Sequence, residues 1–166
     1  GTLIGKSVGY VSANIHSPVS GIVLKIDKAL DSSGYRRDAI FINCEGDEWE
    51  ESIDRSETII KECALTSQDI LKKIQDAGIV GMGGATFPTH VKLTPPPGTK
   101  PEVLIINGVE CEPYLTSDHA VMMDKAEEIM VGTTIVMKAL NVKRAITDNE
   151  DNKKHAIALF KRLSSD

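Results

Sequence analysis

Residues 78–93 read GIVGMGGATFPTHVKL, with Gly78, Gly81, Gly83 and Gly84 inside seven positions and Lys92 close behind. Glycines let a backbone turn through positive φ and bring its N–H groups against a ligand that a Cβ would hold away. Phosphates and flat cofactor rings call for such a backbone, and so does a tight structural turn. A second stretch, NGVECEPYLTSDH over residues 107–119, places Glu110 and Glu112 two apart. Such a pair can bind a metal, act as acid and base, or accept hydrogen bonds from ribose hydroxyls; it can also be two exposed loop glutamates. The presence of a bare loop, a lone lysine and a carboxylate loop in one stretch of chain favours a ligand site.

The surrounding pattern indicates how these loops are held. TSQDILKKIQDAG predicts a helix from 67: Thr66 and Asp69 form a capping box, Ile70, Leu71 and Ile74 an apolar stripe, and Gly78 the stop. Pro88 suits the first turn of a short helix carrying Val91 and Leu93, which PPPG at 95–98 breaks. EVLIIN at 102–107 and VKRAIT at 142–147 read as buried parallel strands. Between them DKAEEIMVGTTIVMKALN predicts a long amphipathic helix with Asp124 as N-cap, and DNKKHAIALFKRL predicts a final helix. This alternation predicts a Rossmann-like parallel α/β unit over 67–166. In such a sheet ligands bind beyond the carboxyl ends of the strands, where Asn107 to His119 lie.

Before residue 47 the chain reads as β-rich, with short apolar runs at Tyr10–Val11, Ile22–Ile26 and Ala39–Ile42. In IHSPVSGIVLKI, Pro18 and Gly21 surround a turn that leads into a strand with Ile22, Leu24 and Ile26 on one side. Residues 47–66 form an acidic linker, within which Trp49 is expected to pack against a neighbouring domain.

The chain has 166 residues, 41% hydrophobic and 26% charged, as in a folded globular protein. A net charge of −5 argues against a nucleic-acid partner. The late basic residues Lys143, Arg144, Lys153, Lys154, Lys161 and Arg162 read as solvated helix faces. No apolar run reaches the ~20 residues needed to cross a bilayer, so no membrane insertion is expected. Cys44, Cys63 and Cys111 are scattered and suit reduced thiols in a cytoplasmic compartment. They form no zinc or iron–sulfur frame, and His16, His90, His119 and His155 lack ligand spacing, so no metal site is expected.

GMGGATFPTHVKL followed by LIINGVECEPYLTSDH closely resembles the RnfC subunit of Rnf-type, ion-translocating ferredoxin:NAD oxidoreductases. It is similar also to electron-transfer proteins of amino-acid reductase systems and, more distantly, to the NADH-binding flavoprotein subunit of respiratory complex I. Residues 1–46, with GTLIGKS and the PVSG turn, resemble part of that family's barrel-sandwich hybrid domain. The resemblance implies FMN and NAD(H) as ligands, with Gly81, Gly83 and Gly84 admitting the flavin to the backbone. It implies that Lys92 places positive charge beside the flavin, favouring its reduced anion, and that Asn107 and Glu110 hydrogen-bond it. Phe87 and Glu112 would face the dinucleotide. Gly83, Lys92, Asn107 and Glu110 are accordingly expected around one cleft. Met82 and Val109 stand where the complex I proteins have arginine and an acid.

The family further implies a later flavin loop and [4Fe–4S] clusters beyond this chain, other subunits of a membrane-bound complex as partners, and a cytoplasmic position peripheral on the inner face of the cell membrane. By itself the chain is expected to hold FMN weakly or not at all. Asp27-Lys28-Ala29 imitates the lipoylated hairpin of carrier domains, but it follows the PVSG turn where carriers place it before, so Lys28 is not expected to be lipoylated. A docking module for complex assembly is the other reading.

Overall fold

The computed structural model describes residues 1–164, and the chain divides into two compact units between Ser56 and Glu57. The first unit is built on two antiparallel pairs: β1 (Leu3–Gly5) with β2 (Ile15–His16), and β3 (Gly21–Leu30) with β4 (Arg36–Cys44). The β3–β4 turn is organised by Asp31, whose Oδ1 accepts the backbone N–H groups of Ser33 and Tyr35, while Gly34 takes φ 81°. The Tyr10–Val11 run is not a strand; it lies in the irregular connection between β1 and β2. The alternation expected of Ile22, Leu24 and Ile26 is interrupted, because the register with β4 slips between Val23 and Lys25 and leaves Leu24 without a partner residue.

The PVSG turn has a physical requirement for its glycine. Gly21 sits at φ 148°, and a Cβ there would lie 2.0 Å from the carbonyl oxygen of Asn43. Ser20 secures the same turn to the acidic stretch: its hydroxyl donates to Glu48 O and accepts from Glu48 N, both at 2.7 Å. Trp49 remains half exposed beneath the Arg55 guanidinium, 4.5 Å from the ring centre, with its indole N–H donating to Asp47. Trp49 also lines a hollow with Gly1, Ser17 and Val19 from the β-rich part of the same unit. Lys28 lies mid-strand opposite Asp38, to which it is ion-paired at 2.7 Å.

The second unit contains α1 (Ser67–Asp76), α2 (Thr89–Lys92), β5 (Leu104–Asn107), α3 (Ser117–Asp124), α4 (Ala126–Leu140), β6 (Ala145–Asp148) and α5 (Lys154–Leu163). The Thr66–Asp69 capping box forms as read from the sequence. β5 and β6 pair in parallel, Leu104 opposite Ala145 through Asn107 opposite Asp148, so the mixed fold with a parallel α/β unit is borne out. Met122, Ala156 and Phe160 form the core, with Ile129 and Met130 against it, joining α3, α4 and α5.

Two expectations are corrected. Residues 117–124 form a helix, α3, and Asp124 is its last residue rather than the N-cap of α4. α4 starts at Ala126 without a side-chain cap. Ala120, Val121, Met122 and Met123 run consecutively and give α3 no helical stripe, so periodicity does not reveal it.

Gly21→Ala should destabilise the first unit by about 2–4 kcal/mol, since steric overlap adds to backbone strain. Trp49 is the single tryptophan, so urea unfolding followed by its fluorescence reads this unit directly. An unchanged midpoint would show that the PVSG glycine is dispensable.

Candidate functional site

The glycine-rich loop is closed at its neck. Val80 bridges Pro88, Gly81 N–H donates to Phe87 O at 2.8 Å, and Thr89 N–H donates to Ile79 O at 3.1 Å. Residues 81–87 between these contacts are exposed, Met82 almost completely and Phe87 by about half. Gly84 takes φ 107°, and Thr86 takes φ 49°, an unfavourable region for a β-branched residue. Gly81 and Gly83 differ from Gly84: neither is at positive φ. A Cβ on Gly81 would make ordinary contact with Phe87 O at 3.7 Å, and one on Gly83 would meet nothing within 4 Å. Nothing in this unit's own packing demands glycine at those two positions.

The carboxyl end of the sheet is organised differently. Asn107, the last residue of β5, accepts the Val109 N–H with its Oδ1, and its Nδ2 has no hydrogen bond among the described residues. Gly108 follows, donating to Asp148 O at 2.9 Å, and here a side chain would be crowded. A Cβ would lie 2.9 Å from Asn149 Oδ1, 3.0 Å from Asp148 O and 3.1 Å from Met122 Sδ.

Glu110 comes next, with its side chain 2% exposed. Its Oε1 accepts the Asp118 N–H at 2.8 Å, and its Oε2 accepts from Lys153 Nζ at 3.1 Å. Asp118 lies in the first turn of α3, whose N-cap residue Thr116 supplies no side-chain hydrogen bond. Glu110 satisfies that helix start from eight residues away, which explains a helix without a local cap. Burial pushes the Glu110 carboxyl up; the Asp118 N–H, the Lys153 ammonium and the His119 N–H outweigh it and hold the pKa below the ordinary value. Lys153, expected on a solvated helix face, is instead only 17% exposed in its side chain and also stands 3.8 Å from Glu150.

The remaining site residues stay open to solvent. Lys92 ends α2, is exposed, and has no ion pair among the described residues. Glu112 is exposed, and Tyr114 beside it is fully exposed at φ 68°. A cavity of about 200 Å³ is bordered by Asn107, Gly108, Asp118, Met122 and Phe160 among others; Gly81, Gly83, Gly84 and Lys92 are not in its lining. The structure therefore joins Glu110 to Lys153 and to α3, and keeps Asn107 at the strand end near them. Lys153 had no signal in the sequence, because its partner lies 43 residues away. Among the described residues no group of three or more His, Cys, Asp or Glu is placed to hold a metal, and no helix is long and apolar enough to cross a membrane.

Residues 74–166 match the family of the Nuo51 FMN-binding domain, and residues 1–47 match the RnfC barrel sandwich hybrid domain. The chain is 47% identical to a subunit of the proton-translocating ferredoxin:NAD(+) oxidoreductase complex of Clostridium ljungdahlii, over 98% of this chain and 35% of that protein. It is 40% identical to the corresponding subunit of the Na(+)-translocating ferredoxin:NAD(+) oxidoreductase complex of Acetobacterium woodii, over 100% of this chain and 37% of the relative. Its counterpart in the ion-translocating oxidoreductase complex of Rhodobacter capsulatus is 42% identical, over 99% and 31% respectively. The chain spans about a third of the length of these curated relatives. The likeness to RnfC subunits borne by the two long motifs is confirmed.

The depressed Glu110 pKa has a definite sign in stability. Its contribution is fully present above the unfolded carboxylate value, about 4.3, and is lost as pH falls through the lower folded value. Glu110→Gln should therefore be less stable than wild type at neutral pH, with the difference shrinking below about pH 4. Among the described residues all five helices belong to the second unit, so thermal melts followed by the far-ultraviolet helix signal measure it. A difference that stays constant through the acid range would remove the ionic role.

Proposed function

The chain belongs to the family of the Nuo51 FMN-binding domain, and we propose on that basis that it supplies part of a flavin and NAD(H) site in an RnfC-type electron-transfer protein. In this reading the whole protein passes electrons between nicotinamide and iron–sulfur clusters held elsewhere in it, as a cytoplasmic member of a membrane-associated complex. The observation that supports it best is the pair Gly81 and Gly83, glycines that their own unit does not require. Bare backbone without an internal reason suits a ligand that must come close to it.

The donor set fits FMN. A flavin offers several acceptor atoms and a phosphate, and the loop offers exposed backbone around Gly83 and Gly84 with the exposed Lys92 beyond it. Asn107 Nδ2 is a donor without a hydrogen bond among the described residues, and Glu110 is an acceptor. A carboxylate has about four acceptor positions, of which Glu110 has two engaged by the Asp118 N–H and Lys153 Nζ. When bound, the flavin supplies hydride and single-electron chemistry; the protein's part is to bind and orient. Phe87, half exposed, offers a ring for stacking, and Glu112 an exposed carboxylate for hydroxyl contacts on the dinucleotide side.

Gly83→Val in the whole protein should abolish FMN retention while leaving the helix signal and melting unchanged, because the new side chain meets open space in this unit. Lys92→Ala should weaken FMN binding by about tenfold, the worth of one charge-assisted contact, and lower the flavin's reduction potential. Equilibrium titration of apoprotein with FMN, followed by flavin fluorescence, measures the first two effects. Retention of FMN by Gly83→Val at wild-type affinity would sink the reading.

A further inference from the structure

An ammonium is strongly hydrated, and a lysine that gives up most of its water needs a matched acceptor. Lys153 has given it up: its side chain is 17% exposed, against 2% for the Glu110 side chain it meets. Its position is also informative. It stands between the end of β6 at Asp148 and the start of α5 at Lys154, while Glu110 stands three residues past the end of β5. The other oxygen of Glu110 is held by the first turn of α3. Three segments, arriving from both parallel strands and from the helix between them, thus meet on one carboxylate at the edge of the sheet where ligands bind.

We propose that Lys153 is a positioning residue of the flavin site: by holding Glu110 Oε2 it fixes the segment from Asn107 to Thr116 in its ligand-ready arrangement. The inference rests on the flavin reading and extends it to a residue that touches no ligand. Asn107 roots this segment and Glu112 lies within it, so both depend on where Glu110 is anchored. Without the ammonium, Oε2 would be buried without its donor. An ionised Glu110 would then turn out towards water, whereas a protonated one could remain. The other charged groups around the pair are Glu150 on the β6–α5 turn, and Asp118 and His119 on α3, the last two meeting Glu110 through backbone N–H groups.

The test titrates the whole apoprotein with FMN between about pH 5 and pH 8, a range in which an ordinary carboxylate stays ionised. Wild type and Lys153→Arg should show a nearly flat affinity profile with respect to Glu110. Lys153→Met should bind about tenfold more weakly at neutral pH, with affinity falling further as pH rises and Glu110 ionises without its counter-charge. Glu110→Gln combined with Lys153→Met should remove that pH dependence, because glutamine does not titrate. Hydrogen exchange at the Asp118 and His119 amides, measured without FMN, should be faster in Lys153→Met and restored in Lys153→Arg. A Lys153→Met profile parallel to wild type, or unchanged exchange, overturns the proposal. If wild type takes no FMN at any pH, the flavin reading fails by itself, and the exchange measurement still decides whether Lys153 anchors the segment.

Discussion

A carboxylate with 2% of its side chain exposed is among the costliest groups a small unit can bury, and the arrangement around Glu110 is the response to that cost. Each compensating partner comes from a different part of the second unit: backbone N–H groups from the start of α3, an ammonium from the approach to α5. Because a buried charge tolerates no lapse in its partners, these segments cannot move independently. The core of Met122, Ala156 and Phe160 draws on α3 and α5, the two helices whose first turns this ion pair secures. Apolar packing and ionic anchoring therefore act on the same elements.

Four glycines contrast in what a Cβ would meet. Gly21 and Gly108 would press into backbone oxygens, so the chain itself accounts for them. Gly81 and Gly83 would press into nothing, and neither has a positive φ to explain it. A glycine weakens the folded state through backbone entropy, so its presence without an internal need points outward. Thr86, at φ 49° in the same loop, adds strain that a plain connecting turn would avoid with another residue.

Local signals carried most of what could be read beforehand. Thr66 and Asp69 lie three residues apart, and their capping box formed as their types dictate. EVLIIN and VKRAIT have apolar runs separated by an amphipathic helix, and parallel pairing follows from that alternation. Hidden were the features that depend on distance in sequence. α3 lacks both a stripe and a local cap, since Glu110 caps it from eight residues upstream. Lys153 resembles its basic neighbours in composition and differs only in having a buried acid to meet. The slip in the β3–β4 register is likewise a property of two strands together, invisible in Ile22, Leu24 and Ile26 alone. For the candidate site, residue types and the strand-end position were legible; which charges are already spent was not.

That last distinction governs what a ligand would encounter. Glu110 and Lys153 are ion-paired inside the unit, with Glu150 also 3.8 Å from the lysine. Lys92 and Glu112 are exposed and unpaired among the described residues, so they carry the uncompensated charge of the two loops. The two loops thus present one exposed cation and one exposed anion. Exposed charges act mainly within about 8–10 Å at physiological salt, so each influences only what lies directly against it. A cation beyond the bare loop suits an electron-accepting ring or a phosphate, and an anion beyond the strand end suits hydroxyl donors. The division of labour proposed for FMN and the dinucleotide is the one that this charge distribution favours.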